Sequence, residues 1–252
     1  MIDYPLNRFT DMAALSDAEQ KRLRSLGDTP ILYKRAATIR AEGDPAPCIY
    51  LMLEGWVLAS MVLPSGARQV TKVHLPGDIL GTPSMALTSA AETLTALTDC
   101  LVAPVPLTRM RDLFVDHPRL AALFLMAVQI ERIALMDAMA AMGKTDARKQ
   151  IITFILDLHD RLARLGKAPG GAFELPMTQE QIGEKLGMTS VHLNRSLRVL
   201  DAEGLLTRTG RLVRLNDIET LRGLSQLPRR QLRTDPEWLP ESREWGGPAR
   251  DG

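Results

Sequence analysis

Residues Thr178–Leu200, TQEQIGEKLGMTSVHLNRSLRVL, decide the fold. Thr178 followed three residues on by Gln181 is a capping-box signal for a helix start. Ile182 and Leu186 give that short helix an inner face. Gly187 suits the left-handed conformation that ends it, Gly183 lets a second helix come close, and Thr189 caps that second helix. Placed at about 100° per residue, Leu193, Leu197 and Leu200 share one side of the second helix. Val191, Asn194, Arg195 and Arg198 gather on the other. The leucines account for packing, and the outer face has no role in it. The next stretch, LLTRTGRLVRL (205–215), reads as a hairpin centred on Gly210. Helix, glycine turn, helix and hairpin together predict a winged helix-turn-helix.

Such a helix enters the major groove with its N-terminal part foremost, so Ser190, Val191, Asn194 and Arg195 are expected at base edges. Arginine offers a bidentate fork to guanine, asparagine does the same for adenine, and valine meets a thymine methyl. Thr178, Thr189, Arg208 and Arg211 are expected at phosphates, with Arg198 on the same outer face. His192 is left between a phosphate contact and plain exposure. The bland alternative is a solvated polar face. Against it stands charge: Met188–Leu215 carries a net +3, while the whole chain is only +1 at pH 7. The local field is what a polyanion meets.

Working outward, 252 residues with 45% hydrophobic and 24% charged side chains suffice for one large or two ordinary domains. The start, MIDYPLNRFTDMAAL, lacks a signal-peptide pattern, and no run reaches the roughly 18 apolar residues of a membrane span. A cytoplasmic protein is expected, with no membrane partner. Residues 30–107 alternate short apolar runs (CIYLMLEGWVLASMVL, RQVTKVHL, LVAPVPL) with turn-rich AEGDPAP, PSGAR and PGDILGTPS. Ser65–Gly66 suits a hairpin turn. Several short antiparallel strands predict a sandwich or barrel. From Arg119 to Met142 no proline or glycine occurs, and two apolar stripes run along one predicted helix. Leu123, Met126, Ile130 and Ile133 form the first; Leu125, Val128, Leu135, Met139 and Met142 form the second. A helix apolar on two sides needs two neighbours. One is its own β domain and the other is expected to be the same helix of a second subunit, through Val128, Leu135, Met139 and Met142. The alternative is burial inside a monomer. Gly143–Lys144 reads as a hinge before a new amphipathic run at Ala147, Ile151, Ile152, Ile155 and Leu158.

The fold class expected is α+β, in four parts. Residues 1–117 hold N-terminal helices and a β-roll, 118–144 a pairing helix and hinge, and 145–225 the winged helix-turn-helix. Residues 226–252, rich in Pro, Arg and Gly, are read as an extended or disordered, solvated tail. Trp238 and Trp245 are its candidates for docking elsewhere.

The stretches AEGDPAPCIYLMLEGWVLAS, LPSGARQVTKVHLPGDILG, ALTDCLVAPVP, DHPRLAALFL and LPMTQEQIGEKLGMTSVHLNRSLRVLDAEGLL together resemble the cyclic-AMP receptor protein/fumarate-nitrate regulator superfamily of bacterial transcription regulators. The resemblance covers roughly residues 25–222. It implies a cyclic-nucleotide-binding-like jelly roll, a long dimerisation helix, binding of the homodimer to inverted-repeat double-stranded DNA, and RNA polymerase as a partner. By resemblance Arg195 matches the family's guanine-reading arginine, and Val191 stands where many members carry glutamate. The expected effector pocket comprises Thr82, Ser84, Met85, Ala90, Ala91 and Glu92. There the resemblance departs. The cyclic-AMP binders place a glutamate on the ribose and an arginine on the phosphate; here Thr82 and Ala90–Ala91 stand instead, and alanine cannot neutralise phosphate. The roll is therefore expected to be a scaffold or a pocket for a less anionic signal, with Met85, Leu87 and Leu94 favouring the latter.

Only Cys48 and Cys100 are present, so no iron–sulfur cluster on four cysteines is expected and each is read as a small core residue. Haem stays open through His74, His117 or His159, with His117 read as a helix-opening residue before Pro118. A cupin-type oxygenase needs two or three clustered histidines and a carboxylate, and His74 is alone in the β domain. A kinase regulatory or channel module leaves the winged helix unexplained. No metal site and no catalytic residues are assigned, and enzyme activity is not expected.

Overall fold

The computed structural model describes residues 3–144, 146–225 and 230–242, with the side chains of 141–144 outside that description. Two short helices, α1 (Asn7–Thr10) and α2 (Asp17–Arg24), lead in. Ser16 opens α2 with a reciprocal capping box to Glu19. Eight strands follow: β1 (Ile31–Tyr33), β2 (Thr38–Arg40), β3 (Cys48–Glu54), β4 (Val57–Val62), β5 (Arg68–His74), β6 (Ile79–Leu80), β7 (Thr93–Ala96) and β8 (Cys100–Pro106). They form two antiparallel sheets, ordered β1-β8-β3-β6 and β2-β7-β4-β5. Ile39, Met52, Val57, Leu80, Leu94 and Val102 come from both sheets and fill the roll between them. The β4–β5 hairpin turns through Ser65–Gly66, and its register shifts between Ala59 and Ser60, so that Thr71 is an extra residue without a Cα partner.

After β8 the chain forms α3 (Leu107–Asp116), a helix inside the span 1–117 assigned to N-terminal helices and β-roll. His117 closes α3, and its carbonyl accepts Ala121 N–H to open α4 (Pro118–Lys144). The first half of α4 is core: Leu120, Leu123, Phe124 and Ala127 pack with the N-terminal helices, β3 and β8. Ile133 departs from its expected stripe and is exposed, as are Leu125, Leu135, Met136 and Met139, while Val128 is half-buried. The expected hinge coincides with the end of α4. Met142 and the side chains at Gly143–Lys144 lie outside the described residues.

The C-terminal domain comprises α5 (Ala147–Arg164), β9 (Ala172–Glu174), α6 (Gln179–Leu186), α7 (Ser190–Ala202), β10 (Leu206–Thr209), β11 (Leu212–Leu215) and α8 (Ile218–Leu224). β9 joins the hairpin to give a three-stranded sheet, β10-β11-β9. The core of this domain runs without a break onto the roll, since Leu58, Val70, Val73, Leu75 and Leu97 cluster with α5 and α6. Buried charges reinforce the junction. Asp78 accepts from Arg8 of α1 at 2.8 Å and from Arg161 of α5 at 2.6 Å, while Glu131 of α4 pairs with Arg8 at 2.6 Å and Lys72 at 2.5 Å. Burial alone would raise the Asp78 carboxyl; Arg161, Lys72 and Arg8 outweigh it and hold the group well below the usual carboxylate range. His74 is buried beside Asp78, and His159 pairs with Asp160 and leans on Phe173.

The solvated tail needs correction for residues 230–242. Leu239 is 7% exposed in the core formed by the N-terminal helices and α4, whereas Trp238 faces solvent. Arg119 binds Asp235 at 2.9 Å and the Pro240 carbonyl at 2.7 Å, and Arg230 pairs with Asp137 of α4 at 2.6 Å. A tethered apolar side chain and its ion pairs offset the entropy that keeps a polar tail loose. Trp245 lies outside the described residues. Among those residues no helix is long and apolar enough to cross a membrane.

Candidate nucleic-acid interface

The reading head is built from local capping chemistry. Thr178 Oγ1 accepts Gln181 N–H and Gln181 Oε1 accepts Thr178 N–H, so α6 begins where its first free donors are met. Gly187 ends it at φ +67°, and Thr189 opens α7 by accepting His192 N–H at 3.3 Å. Between them Gly183 has no room for a side chain, because a Cβ would lie 2.5 Å from the Met188 carbonyl. Hydrogen at that position is what allows the tight turn. Leu193 and Leu200 anchor α7 in the core, with Leu197 packed beside them.

The opposite face of α7 is open. Val191 is 80% exposed, His192, Arg195 and Arg198 are exposed, and Ser190 is half-buried. Neither arginine has an ion pair among the described residues, so both forks are available. Asn194 differs: its amide donates to Gln179 Oε1 at 2.5 Å, tying α7 to the first residue of α6. No local pattern signals this bond, which joins positions 15 apart. On the wing Arg211 is exposed, Arg208 is half-buried and bends back to the Gly210 carbonyl at 3.3 Å, and Arg214 is a further exposed cation that the expected site omits. Thr178 and Thr189 are exposed at the two helix starts.

The expected pocket residues share one segment of the roll. Gly81 leads into a 3-10 turn over Thr82–Ala86. Ser84 is buried and its Oγ accepts Ala91 N–H at 3.1 Å, while Ala90 is buried and pairs through its backbone with Gly43 and Asp44. Glu92 is buried and turns to Thr71, whose hydroxyl donates to it at 3.3 Å. Met85 packs toward the α4 side of the core, Leu94 fills the roll, and Leu87 is 54% exposed, so these three do not line one pocket. Thr82 and Ala90–Ala91 supply neither a carboxylate for ribose nor a guanidinium for phosphate. The nearest cation at Ser84 is Arg40, which reaches it from β2 and which the sequence reading missed.

The β5 edge of the roll meets α6. Gln69 donates to the Glu184 carbonyl at 2.6 Å, Arg68 pairs with the Glu184 carboxylate at 2.8 Å, and Lys185 donates to the Thr71 carbonyl at 2.6 Å. Burial pulls the Lys185 ammonium down to about 8, only partly offset by Asp157. The reading head is thus seated on the β-roll of its own chain.

Residues 149–224 match the Crp-like helix-turn-helix domain and residues 30–117 the cyclic nucleotide-binding domain. The chain is 31% identical over 211 residues to the transcriptional regulatory protein btr of Bordetella pertussis, covering 83% of this chain and 85% of that one. It is 28% identical over 207 residues to the transcriptional activator protein FnrA of Stutzerimonas stutzeri, covering 82% and 81%. The structure of FixK2 from Bradyrhizobium japonicum superposes with a TM-score of 0.72 at 27% identity, covering 80% of this chain and 98% of that one. With roll, long helix and winged reading head in one order and one geometry, the chain belongs to the Crp/Fnr family of DNA-binding transcription regulators.

Proposed function

We propose that two copies of this chain pair through α4 and that their α7 helices read an inverted-repeat operator in double-stranded DNA. The observation that carries this reading is the open face of α7, where Val191, Arg195 and Arg198 are exposed and, among the described residues, neither arginine is in an ion pair. Arg195 takes a guanine, Val191 a thymine methyl, and Arg208 and Arg211 the flanking phosphates, with Ser190 and Asn194 at base edges and Thr178, Thr189 and His192 along the backbone. Residues 1–117 serve sensing, 118–144 pairing and 145–225 DNA binding, with 226–252 as a tail; RNA polymerase is the partner that family membership suggests. The exposed Leu135 and Met139 supply the second apolar contact that α4 needs, with Val128 and Met142 along the same stripe.

Selection of binding sequences from random duplexes is the test. Enrichment of an inverted repeat with half-site centres about 34 Å apart is expected; enrichment of single, unpaired half-sites would sink the dimeric reading. Cyclic AMP is not the physiological activator, on the strength of Thr82, Ala90 and Ala91. Losing a charge-assisted contact of that kind removes about 2–3 kcal/mol. At about 1.4 kcal/mol per tenfold, a micromolar ligand moves toward millimolar. Isothermal titration with cyclic AMP and cyclic GMP checks this, and micromolar binding of either would overturn it.

A further inference from the structure

The reading head is tied to the rest of the chain twice. The first tie is the passage from α4 into α5. The second starts where α8 ends. Arg222 of α8 grips both carboxylate oxygens of Asp160 in α5, at 2.7 and 2.8 Å, and Thr153 of α5 donates to the Ser225 carbonyl at 3.2 Å, so α8 moves with the head. From Ser225 five peptide links lead to Arg230, a reach of at most about 18 Å. Arg230 then holds both carboxylate oxygens of Asp137, at 2.6 and 2.9 Å. Asp137 stands in the half of α4 that shows Leu135, Met136 and Met139 to solvent.

Beyond Arg230 the segment is anchored at each step. Asp235 N–H donates to the Met12 carbonyl at 2.8 Å, and its carboxylate accepts Ala14 N–H at 3.1 Å. Arg119 of α4 donates to the Asp235 carboxylate at 2.9 Å, to the Pro240 carbonyl at 2.7 Å and to the Ala14 carbonyl at 3.1 Å. Leu239 is buried against the N-terminal helices and α4, and Ser242 donates to Glu19 of α2 at 3.1 Å. Asp235 has a left-handed backbone, φ +46°, a conformation that a residue other than glycine keeps only where its surroundings fix it.

A body joined to another at one passage turns about it; joined at two, it loses most of that freedom. We propose that residues 230–242 are a strap that positions the reading head: Arg230, Asp235 and Leu239, with Arg119, fix α7 relative to α4 and so set the half-site spacing that a pair of chains accepts. These four are positioning residues and contact no base. The inference rests on the reading of α4 as the pairing helix and α7 as the DNA-binding one. Once one α7 is seated, the second half-site is met at an effective concentration set by how freely the other head moves. A fixed head is concentrated at one spacing. A loosened head is diluted there and gains at neighbouring spacings.

Titration of the full-length chain against the selected operator, the same operator with one base pair added or removed between its halves, and a single half-site tests the strap. The unaltered chain should lose about tenfold on the changed spacings. Asp235→Ala combined with Leu239→Ala frees the strap without removing it. That variant should bind the selected operator about threefold more weakly, shrink the spacing penalty to about threefold or less, and bind the single half-site as before. Leu239→Met, which refills the apolar site with Asp235 intact, should restore the penalty. Arg230→Ala, a surface change, should shrink the penalty as well and serves if the double variant fails to fold. An unchanged penalty in the folded double variant, or in Arg230→Ala where that variant does not fold, overturns the proposal. An equal loss on operator and single half-site does so too, because it marks the strap as stabilising the fold alone. A chain that enriches no inverted repeat removes the dimeric reading and this inference together, whereas one that keeps its inverted repeat and shows no effect of the strap on spacing refutes only the inference.

Discussion

Arg195 and Arg211 are both exposed cations, yet they stand on different parts of the reading head and should fail differently. Arg195→Ala removes a fork from α7 and should cost about 1–3 kcal/mol on the selected operator while relaxing preference at one base position. Arg211→Ala removes a wing contact, so it should weaken all duplexes alike and lower the salt slope by about 1. Titration against matched and mismatched duplexes at several salt concentrations distinguishes them; full affinity and selectivity in Arg195→Ala would dismiss its assigned role. Caps and turns were legible at this scale, because Thr178, Gly187 and Thr189 act on neighbours within a few residues. The Asn194–Gln179 and Arg40–Ser84 bonds were not. Each joins residues that only the tertiary fold brings together, and Arg40 in its own local sequence reads as an ordinary polar strand end.

At the scale of elements, α4 changes character along its length. Its first half is core, and its second half shows Leu135, Met136 and Met139 to solvent. Glu at both Leu135 and Met139 should bury uncompensated charge in a paired helix and split the dimer. In a monomer the same two changes would sit harmlessly in water, so light scattering on the unaltered and altered chains decides the matter. The stripes were readable because 24 residues without Pro or Gly hold a period. α3 and α8 are short, follow strands directly and sustain no such run, so they were missed.

The contact of α6 with β5 carries a pH signature. A lysine whose folded value lies below its unfolded one is penalised while charged. For Lys185, folded near 8 against an ordinary 10.5, the penalty is complete below 8 and is relieved as pH rises through that value toward 10.5. The unaltered chain should therefore gain thermal stability from pH 7 to 9.5 relative to Lys185→Met. Parallel behaviour of the two would show that the ammonium is better hydrated than its surroundings suggest.

Across the whole molecule, residues 230–242 lie against the N-terminal helices and α4. Removing everything from Arg230 onward strips Asp235 and Pro240 from Arg119 and uncovers the Leu239 site, at a cost of about 2–4 kcal/mol on burial grounds. Denaturant unfolding of the truncated chain measures it, and an unchanged midpoint would mean the strap is idle. A tail without periodicity gives no such warning, since one leucine among prolines finds its pocket only in three dimensions.

The roll is an open structure, and β5 is the last strand of its sheet. Such a border offers unpaired amides and carbonyls to any other strand. Here the reading head covers it: the extra residue Thr71 has its carbonyl taken by Lys185, and Gln69 reaches across to the backbone of Glu184. DNA recognition and protection against aggregation thus share one helix, with α6 supporting α7 on one flank and capping a bare β edge on the other. Cut away from residues 146–225, the roll should associate through β5 into larger species, whereas Glu184 and Lys185 in the full chain act as its gatekeepers.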